Sequence, residues 1–581
     1  MFKKLLSLII ALLIVLSLLT SCTKSEETLP TETEPQTESE SNASTFNDGK
    51  LRIFANGEYQ CKIIRPENVT DRERKFYNEL RNTLKDVTGV LPTVATDFKS
   101  HDEVYNSDEF AILVGSTEYE ESTTLYSKLS YSDFRAELVN KKYAFAFHDL
   151  DTAYDALKTF KELLVSNFKD GEIILTDSWN YSHTADALLE SIPKYDGGTF
   201  FDVCKGAYGM QTVIIKNTNS DDYNKYLTNV LSSGYTLYTD NAIGENLFAT
   251  FESEKYILTA MLFPKIAEAR ITLERTGNYS LPALESENIY TPTGAECSIT
   301  QIGLEESTQV QNGMSYIIKL ADSSFIVVDG GTGTGASREQ FMEVISSLAD
   351  DPDNITIAAW ILTHAHGDHI GVFWMVASDK NCMEKLTIEQ IIWSNVADHQ
   401  IENLGGGSLE SLEALFKKIE GARIVIAHPG QVFYIRNATY TVYGTAEMIE
   451  PFVMNNLNDS SIVGRVVIDG KSILFPGDSH PTGTSVYTGI YGKDLESDVV
   501  QVIHHGYQGG SDEFYSNVDP LTVLWPLGMK NYETATPPNT PMKTWSYSAW
   551  LFSEASHVQN IYVAGSEVTT LLIKDLPSHK D

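Results

Sequence analysis

The chain is poor in positive charge, in cysteine and in long apolar runs, and each shortage removes a class of function. Its 581 residues carry 43 Lys and Arg against 79 Asp and Glu, a formal net charge of -36. A surface this acidic repels polyanions and argues against nucleic acid as a partner, although it leaves room for a locally positive metal site. Only five cysteines occur, Cys22, Cys61, Cys204, Cys297 and Cys382. The last four would permit two disulfides, but their wide spacing does not form a disulfide framework. No CxxC pair is present to bind zinc through thiolates. They read as buried free thiols. The apolar run Leu5–Leu19 falls short of the ~20 residues that a membrane-spanning helix needs.

That run follows Lys3 and Lys4 and reads as the core of a secretion signal. Leu19-Thr20-Ser21-Cys22 resembles a bacterial lipobox, which implies cleavage of residues 1–22 as a signal and a lipid on Cys22. The expected location is then the cell surface, with the lipid anchored in the outer face of the bacterial cytoplasmic membrane. Residues 23–49 are rich in Ser, Thr, Glu and Pro with almost no large apolar side chains. Such a segment cannot bury a core and reads as a self-repelling tether.

The rest has the composition of globular domains, 42% hydrophobic and 10% aromatic, and is too long for one core. Three regions are expected. In residues 50–195, Phe76, Leu80, Leu84 and Val87 share a helical face that Gly89 can end, and strands such as FAILVGST alternate with helices. This α/β region resembles the small non-catalytic domain that precedes the barrel in some hexosaminidases and glucuronidases. Residues 196–294 read as a small α+β module without a chemical motif. Residues 295–581 alternate strands and helices and hold the chemistry. The stretch SSIVGRVVIDGKSILFPGDS reads as a hairpin turning at Asp469-Gly470.

The buried strand ITIAAWIL runs into THAHGDH, which places three of the chain's 13 histidines between His364 and His369. His364 and His366 are two apart, so both can point to one side of an extended segment. A turn at Gly367 would bring Asp368 and His369 in from another direction. Imidazole and carboxylate at this density suit a pair of divalent cations, with a hydrogen-bonded histidine cluster as the bland alternative.

THAHGDH resembles the metal motif of the metallo-β-lactamase-fold hydrolase superfamily. The resemblance implies an α/β fold, a four-layer αβ/βα sandwich, preceded here by the two smaller α/β and α+β domains. In the family's order, Asp329 in VVDGG matches the aspartate that supports the ligands, Asp478 in ILFPGDS the aspartate that bridges two metals, and His504 and His505 in VIHHGYQGG the last ligand motif. NDSSIVGRVVIDGKSILFPGD followed by VIHHG is most similar to the exported hydrolase domain of DNA-uptake channels. It is also similar to choline-phosphate esterases of teichoic acid, and Asn458 falls in the Asn-x-Ser-like phrase of that branch. The sequence departs from the family in two places. The ligand histidine usual between His369 and Asp478 has no clear match, with His399 and His428 as candidates. NYETATPPN lacks the histidine of the DNA-uptake branch.

What the resemblance implies is a dinuclear centre. His364 and His366 would hold one ion, and Asp368, His369 and either His504 or His505 the other, with Asp478 bridging. Adjacent strand residues face opposite ways, so one histidine of the pair suffices, and the sequence leaves open which. The cofactors would be two divalent ions, Zn²⁺ first, with Mn²⁺ or Fe also fitting. Ions ~3.5–4 Å apart would share a hydroxide that attacks phosphorus or a carbonyl carbon. Asp368 and Asp478 would be the catalytic carboxylates, and His480 could reach substrate or donate a proton. The expected substrate is a phosphodiester in a cell-surface polymer or small molecule. A lactone or β-lactam is the alternative, and a glycan-binding lipoprotein with a structural metal the non-enzymatic one. The sequence sets no oligomeric state.

Overall fold

Five sheets organise the computed structural model. It describes residues 46–580 apart from 99–108, 185–187, 305–312, 397–408, 451–453, 536–546 and the single positions 48, 130, 132, 149, 278, 395, 455 and 566. Cys22 and His399 lie outside the described residues. Among the described residues, no helix is long and apolar enough to cross a membrane.

The N-terminal region shows how local sequence sets element ends. Helix Asp71–Thr88 opens with a capping box between Thr70 and Glu73 and closes at Gly89, whose backbone (φ 78) is left-handed. Phe76, Leu80 and Leu84 are buried along its inner face. With helix Leu150–Asn167 it packs on a six-stranded mixed sheet. Cys61, Cys204, Cys297 and Cys382 are all free and buried, as their spacing suggested.

The middle region is a six-stranded antiparallel sheet between Thr199 and Arg275. Helix Ser220–Ser232 covers one face through Tyr223, Tyr226 and Val230. Phe248, Met261 and Phe263 instead enter the same hydrophobic core as the C-terminal region. Polar contacts reinforce that join. Asn241 Nδ2 donates to the Gly430 carbonyl at 3.0 Å, and Arg270 Nη1 to the Glu447 carbonyl at 2.6 Å.

Two large sheets face each other in the C-terminal region. The first is built from β1 (Ser298–Gln301), β2 (Ser315–Lys319), β3 (Phe325–Asp329), β4 (Ile355–Leu362), β5 (Gln390–Trp393), β6 (Arg423–Ile426) and a late strand, Thr569–Leu572. Leu386–Ile388 pairs beside β4. Strands β3 to β6 run parallel. The second is built from β7 (Val432–Ile435), β8 (Ala438–Gly444), β9 (Val463–Ile468), β10 (Lys471–Phe475), β11 (Val499–Gln501), β12 (Thr522–Trp525) and β13 (Asn560–Val563). Its last four strands are parallel. Ile468 pairs with Lys471, so β9 and β10 are joined by the two-residue turn Asp469-Gly470, both with positive φ.

Ile318, Val328 and Ile361 of the first sheet meet Val466, Ile473 and Phe475 of the second in a dry inner core. Helices α1 (Gly335–Leu348) and α2 (Gly367–Ser378) cover the first sheet, where Trp360 packs against Phe341 and Phe373. Helices α3 (Pro481–Tyr491) and α4 (Asp512–Val518) cover the second. The result is the expected four-layer αβ/βα sandwich. The carboxyl ends of β3, β4, β10 and β11 all deliver polar residues to one edge.

Candidate metal centre

Four strand ends build the cluster. Strand β4 ends at Leu362, and the extended Thr363–His366 segment follows before α2 begins at Gly367. His364 Nε2 and His366 Nδ1 come within 3.0 Å of each other, as their two-residue spacing suggested. The change of direction is made by the first turn of α2. His369 N–H donates to the His366 carbonyl at 3.0 Å, and Gly367 is not in the positive-φ region. That turn brings Asp368 and His369 back over the strand end.

Strand β10 ends at Phe475, and Asp478 follows a tight bend at Gly477 (φ 58), where an added Cβ would meet Ser461 and Thr363. Asp478 Oδ2 lies 3.1 Å from His369 Nε2, 3.4 Å from His505 Nε2 and 3.9 Å from His504 Nε2. His505 Nε2 is also 3.4 Å from Asp368 Oδ2. Ligand atoms ~2.0–2.1 Å from a shared cation fall about 3–4 Å apart, so these spacings suit metal binding. Two groups of donors converge within 4.8 Å, His364 with His369 and Asp478, and Asp368 with His369 and His505.

The surrounding hydrogen bonds orient these rings. Asp329 accepts from His369 Nδ1 at 2.7 Å, and from the backbone and hydroxyl of Thr363 at 2.7 Å each. His505 Nδ1 donates to the Pro526 carbonyl at 2.6 Å. Both bonds leave Nε2 pointing into the centre. Ser461 Oγ is shared between His364 Nδ1 at 3.3 Å and the Asp478 N–H at 3.1 Å. Neither Thr363 nor Ser461 was singled out from sequence. Their only signal is position, beside His364 and just after Asn458-Asp459-Ser460.

Charge follows the geometry. Burial opposes protonation of His369, but the carboxylates of Asp478 and Asp329 hold its pKa well above the usual imidazole value. Burial likewise works against a charged His505, and Asp478 and Asp368 overcome it and raise the pKa to about 9. Burial would raise the Asp478 carboxyl, yet His369 and His505 keep it well below the carboxylate range. Desolvation and the neighbouring His369 lower His364.

The donor set fits divalent cations. Asp478 Oδ1 and His505 Nε2 are buried without a hydrogen-bond partner, an arrangement that costs free energy unless another electrophile occupies the space. A cation there takes the place of the protons on His369 and His505. Neutral imidazole with carboxylate suits zinc, and also manganese or iron.

The remaining candidates scatter. His504 stands beside the centre, with Nε2 3.2 Å from Asn458 Nδ2 and its ring 5.4 Å from that of His480. His428 is elsewhere. Its Nδ1 hydrogen-bonds Glu447 at 3.0 Å, while its buried Nε2 faces Glu274 at 3.4 Å without a hydrogen bond. The tandem histidines depart from the strand geometry that the sequence suggested. Strand β11 stops at Gln501, and both histidines sit in the turn beyond it.

No curated protein matches the sequence. Solved structures similar in fold include the metallo-β-lactamase-fold protein YhfI from Bacillus subtilis, at 15% identity and a TM-score of 0.32, covering 48% of this chain and 100% of that one. Yeast PDE1 aligns at 14% identity and a TM-score of 0.30, covering 48% of this chain and 99% of its own. CmlA, a diiron β-hydroxylase from Streptomyces venezuelae, aligns at 12% identity and a TM-score of 0.31, covering 49% of this chain and 55% of its own. Residues 309–523, which hold every described residue of the cluster, match the family model of the metallo-β-lactamase superfamily, and the C-terminal region is a domain of that superfamily.

Proposed function

We propose that this protein is a dinuclear metal-dependent hydrolase of phosphodiesters, held at the outer face of the cytoplasmic membrane by a lipid on Cys22. The observation that carries the metal-dependent reading is the convergence of His364 and His369 with Asp478 and of Asp368 with His369 and His505, with His366 Nδ1 3.0 Å from His364 Nε2 and Asp478 Oδ1 buried and unpartnered. His364 and His366 with Asp478 would hold one ion, and Asp368, His369 and His505 with Asp478 the other. Ions bound there supply a nucleophilic water at neutral pH and polarise the scissile group. The choice of phosphodiester rests on the sequence resemblance of residues 458–506 to exported phosphoesterases. The net charge of -36 turns the choice away from nucleic acid and toward a cell-surface polymer or small molecule.

The chain's own groups divide the remaining work. Asp329, Thr363 and Ser461 hold the imidazoles in register, which removes the cost of orienting them during the reaction. Asp368 is the half-buried carboxylate of the cluster, its side chain 26% exposed, and we place proton transfer to the leaving group at its oxygens. Burial would raise its pKa, but His505 and His369 hold the carboxyl well below its usual range and keep it ionised.

Elemental analysis of metal-replete protein and a substrate panel test this reading. Turnover of bis(p-nitrophenyl) phosphate that is lost in Asp478→Ala supports it. Turnover of nitrocefin or a lactone in its place would move the substrate to the carbonyl class. A metal-loaded protein inert on the whole panel would make the chain a binding protein with a structural centre.

A further inference from the structure

Beyond the metal centre, a cleft lies between the middle region and the C-terminal region. Strand ends supply one wall. Ser394 follows β5, His428 follows β6, and Thr445 and Glu447 follow β8. Met210 and Thr212 of the middle region face them. Leu362, Trp393 and Ile426 stand in register at the ends of β4, β5 and β6. His364 and His428 each come two residues after their strand end. The cleft therefore continues the edge that carries the metal centre, two inter-strand spacings or roughly 10 Å along it.

Its walls are fixed and polar. The turn Ala207–Gly209 borders the cleft, and Tyr208 is held there at φ 57, a strained conformation for a bulky side chain. The Tyr208 hydroxyl accepts from Trp393 Nε1 at 3.0 Å, which ties the turn to the end of β5. Apolar Ala427 and Ala446 alternate in the lining with Thr212, His428 and Thr445, each 3% exposed or less. A dry packing defect is lined by apolar groups alone, whereas an apolar wall with a few buried polar groups is the composition of a ligand pocket. His428 Nε2 is buried and makes no hydrogen bond, although Nδ1 bonds Glu447 at 3.0 Å. The enclosed part has room for about one water-sized group.

That lining selects a neutral group. The carboxylates of Glu447 and Glu450 turn away anions. Burial opposes charge on His428, but Glu447 and Glu274 keep it protonated, and so it turns away cations. A protonated Nε2 donates and the Glu447 carboxylate accepts, which suits a hydroxyl, a group that accepts and donates through one atom. Among the described residues of the lining there is no aromatic side chain to stack on a sugar face or to cage a methylated ammonium. We propose that this cleft is a second binding site, which seats a hydroxyl of a polyol, and that the polyol is the part of the substrate that does not react. The place in the substrate rests on the phosphodiester reading above. A chain of about six carbons, at ~1.5 Å per bond, spans the distance from the metal centre.

Binding and turnover test it separately on the full chain. Saturation-transfer NMR should show sorbitol bound in preference to 1-hexanol and hexylammonium. Ala427→Leu fills the cleft and Ser394→Val removes a hydroxyl from its wall, and each should weaken sorbitol binding at least tenfold. Circular dichroism checks the fold, and Ser394→Val serves where Ala427→Leu overpacks. No sorbitol binding, equal binding by both variants, or tighter binding of hexylammonium would overturn the site. In metal-replete protein the p-nitrophenyl phosphodiester of sorbitol should have a kcat/KM at least tenfold above that of the hexyl diester. Ala427→Leu should abolish that advantage and leave turnover of the hexyl diester unchanged. Sorbitol binding without the advantage would overturn the polyol's place in the substrate. If neither diester is hydrolysed, the phosphodiester reading fails, and sorbitol binding alone decides whether the cleft is a site.

Discussion

Asp329 and His369 form a fully buried pair, with Oδ2 2.7 Å from Nδ1 and both side chains at 0% exposure. The same carboxylate binds Thr363 twice, so one residue at the end of β3 fixes both the segment entering the metal motif and the ring at its far end. Asp329 itself has φ 54, a conformation that Asn also tolerates. Asp329→Asn should therefore keep the fold and lose the charged acceptor. Outer-shell carboxylates of this kind are worth about 10–100-fold in metal affinity, and that is the loss expected in a zinc competition titration. An unchanged affinity would show that Thr363 and packing suffice to hold the ring.

Metal binding should release protons. At neutral pH His505, with its pKa raised to about 9, and His369, raised well above the imidazole value, both carry protons that a cation displaces. Calorimetry of zinc binding to the apoprotein in buffers of different ionisation enthalpy should report more than one proton released at pH 7. The number should fall as pH rises past about 9, where His505 has already lost its proton. A release independent of pH would mean that these two imidazoles are not displaced by the metal. Chelation should also lower the melting temperature by several degrees, because a ligand at a hundred times its Kd stabilises by about 2.7 kcal/mol.

The centre was legible in the sequence where it is local and obscure where it is not. His364, His366, Asp368 and His369 lie within six residues, and their spacing on a strand end and a helix start is enough to converge them. Asp478 was legible only through the resemblance of ILFPGDS to the family's bridging-aspartate motif, because Gly-Asp at a strand end is otherwise an ordinary turn. The tandem histidines misled for a physical reason. Val499, Val500, Val502 and Ile503 favour an extended strand, and nothing local signals that it stops at Gln501 and turns left-handed. His428 misled because its partners arrive from afar. Glu274 belongs to the middle sheet and Glu447 follows β8, and no spacing in the sequence announces that three-way contact.

That contact gives a second pH-dependent expectation, away from the metal. His428 is 2% exposed, and although burial opposes its charge, Glu447 and Glu274 raise its pKa well above the usual value. A raised folded pKa stabilises the protein fully below the unfolded value near ~6.5, and the contribution fades as pH climbs through the folded pKa. His428→Gln should then cost about 3–5 kcal/mol in acid to neutral buffer, since it leaves two carboxylates facing an uncharged amide. Denaturant melts of both proteins from pH 6 to 10 should show the gap narrowing at the alkaline end. A constant gap would assign the loss to packing alone.

Gly430 tests whether the middle sheet and the C-terminal domain fold as one body. It has φ 83, an added Cβ would stand 2.0 Å from Phe248 Cγ, and its carbonyl accepts from Asn241 at 3.0 Å. Phe248 is itself 4% exposed and sits in the core shared by the two regions. Gly430→Ala therefore meets two penalties, about 1–2 kcal/mol for the left-handed backbone and about 1–3 kcal/mol for overpacking. A loss of about 2–5 kcal/mol in a single cooperative transition is expected. Phe248→Leu made in the same chain should recover the overpacking share and leave the backbone share, which a double-mutant cycle separates. If Gly430→Ala instead split the melt into two transitions with the metal-binding one unmoved, the middle sheet would be an independent neighbour of the C-terminal domain.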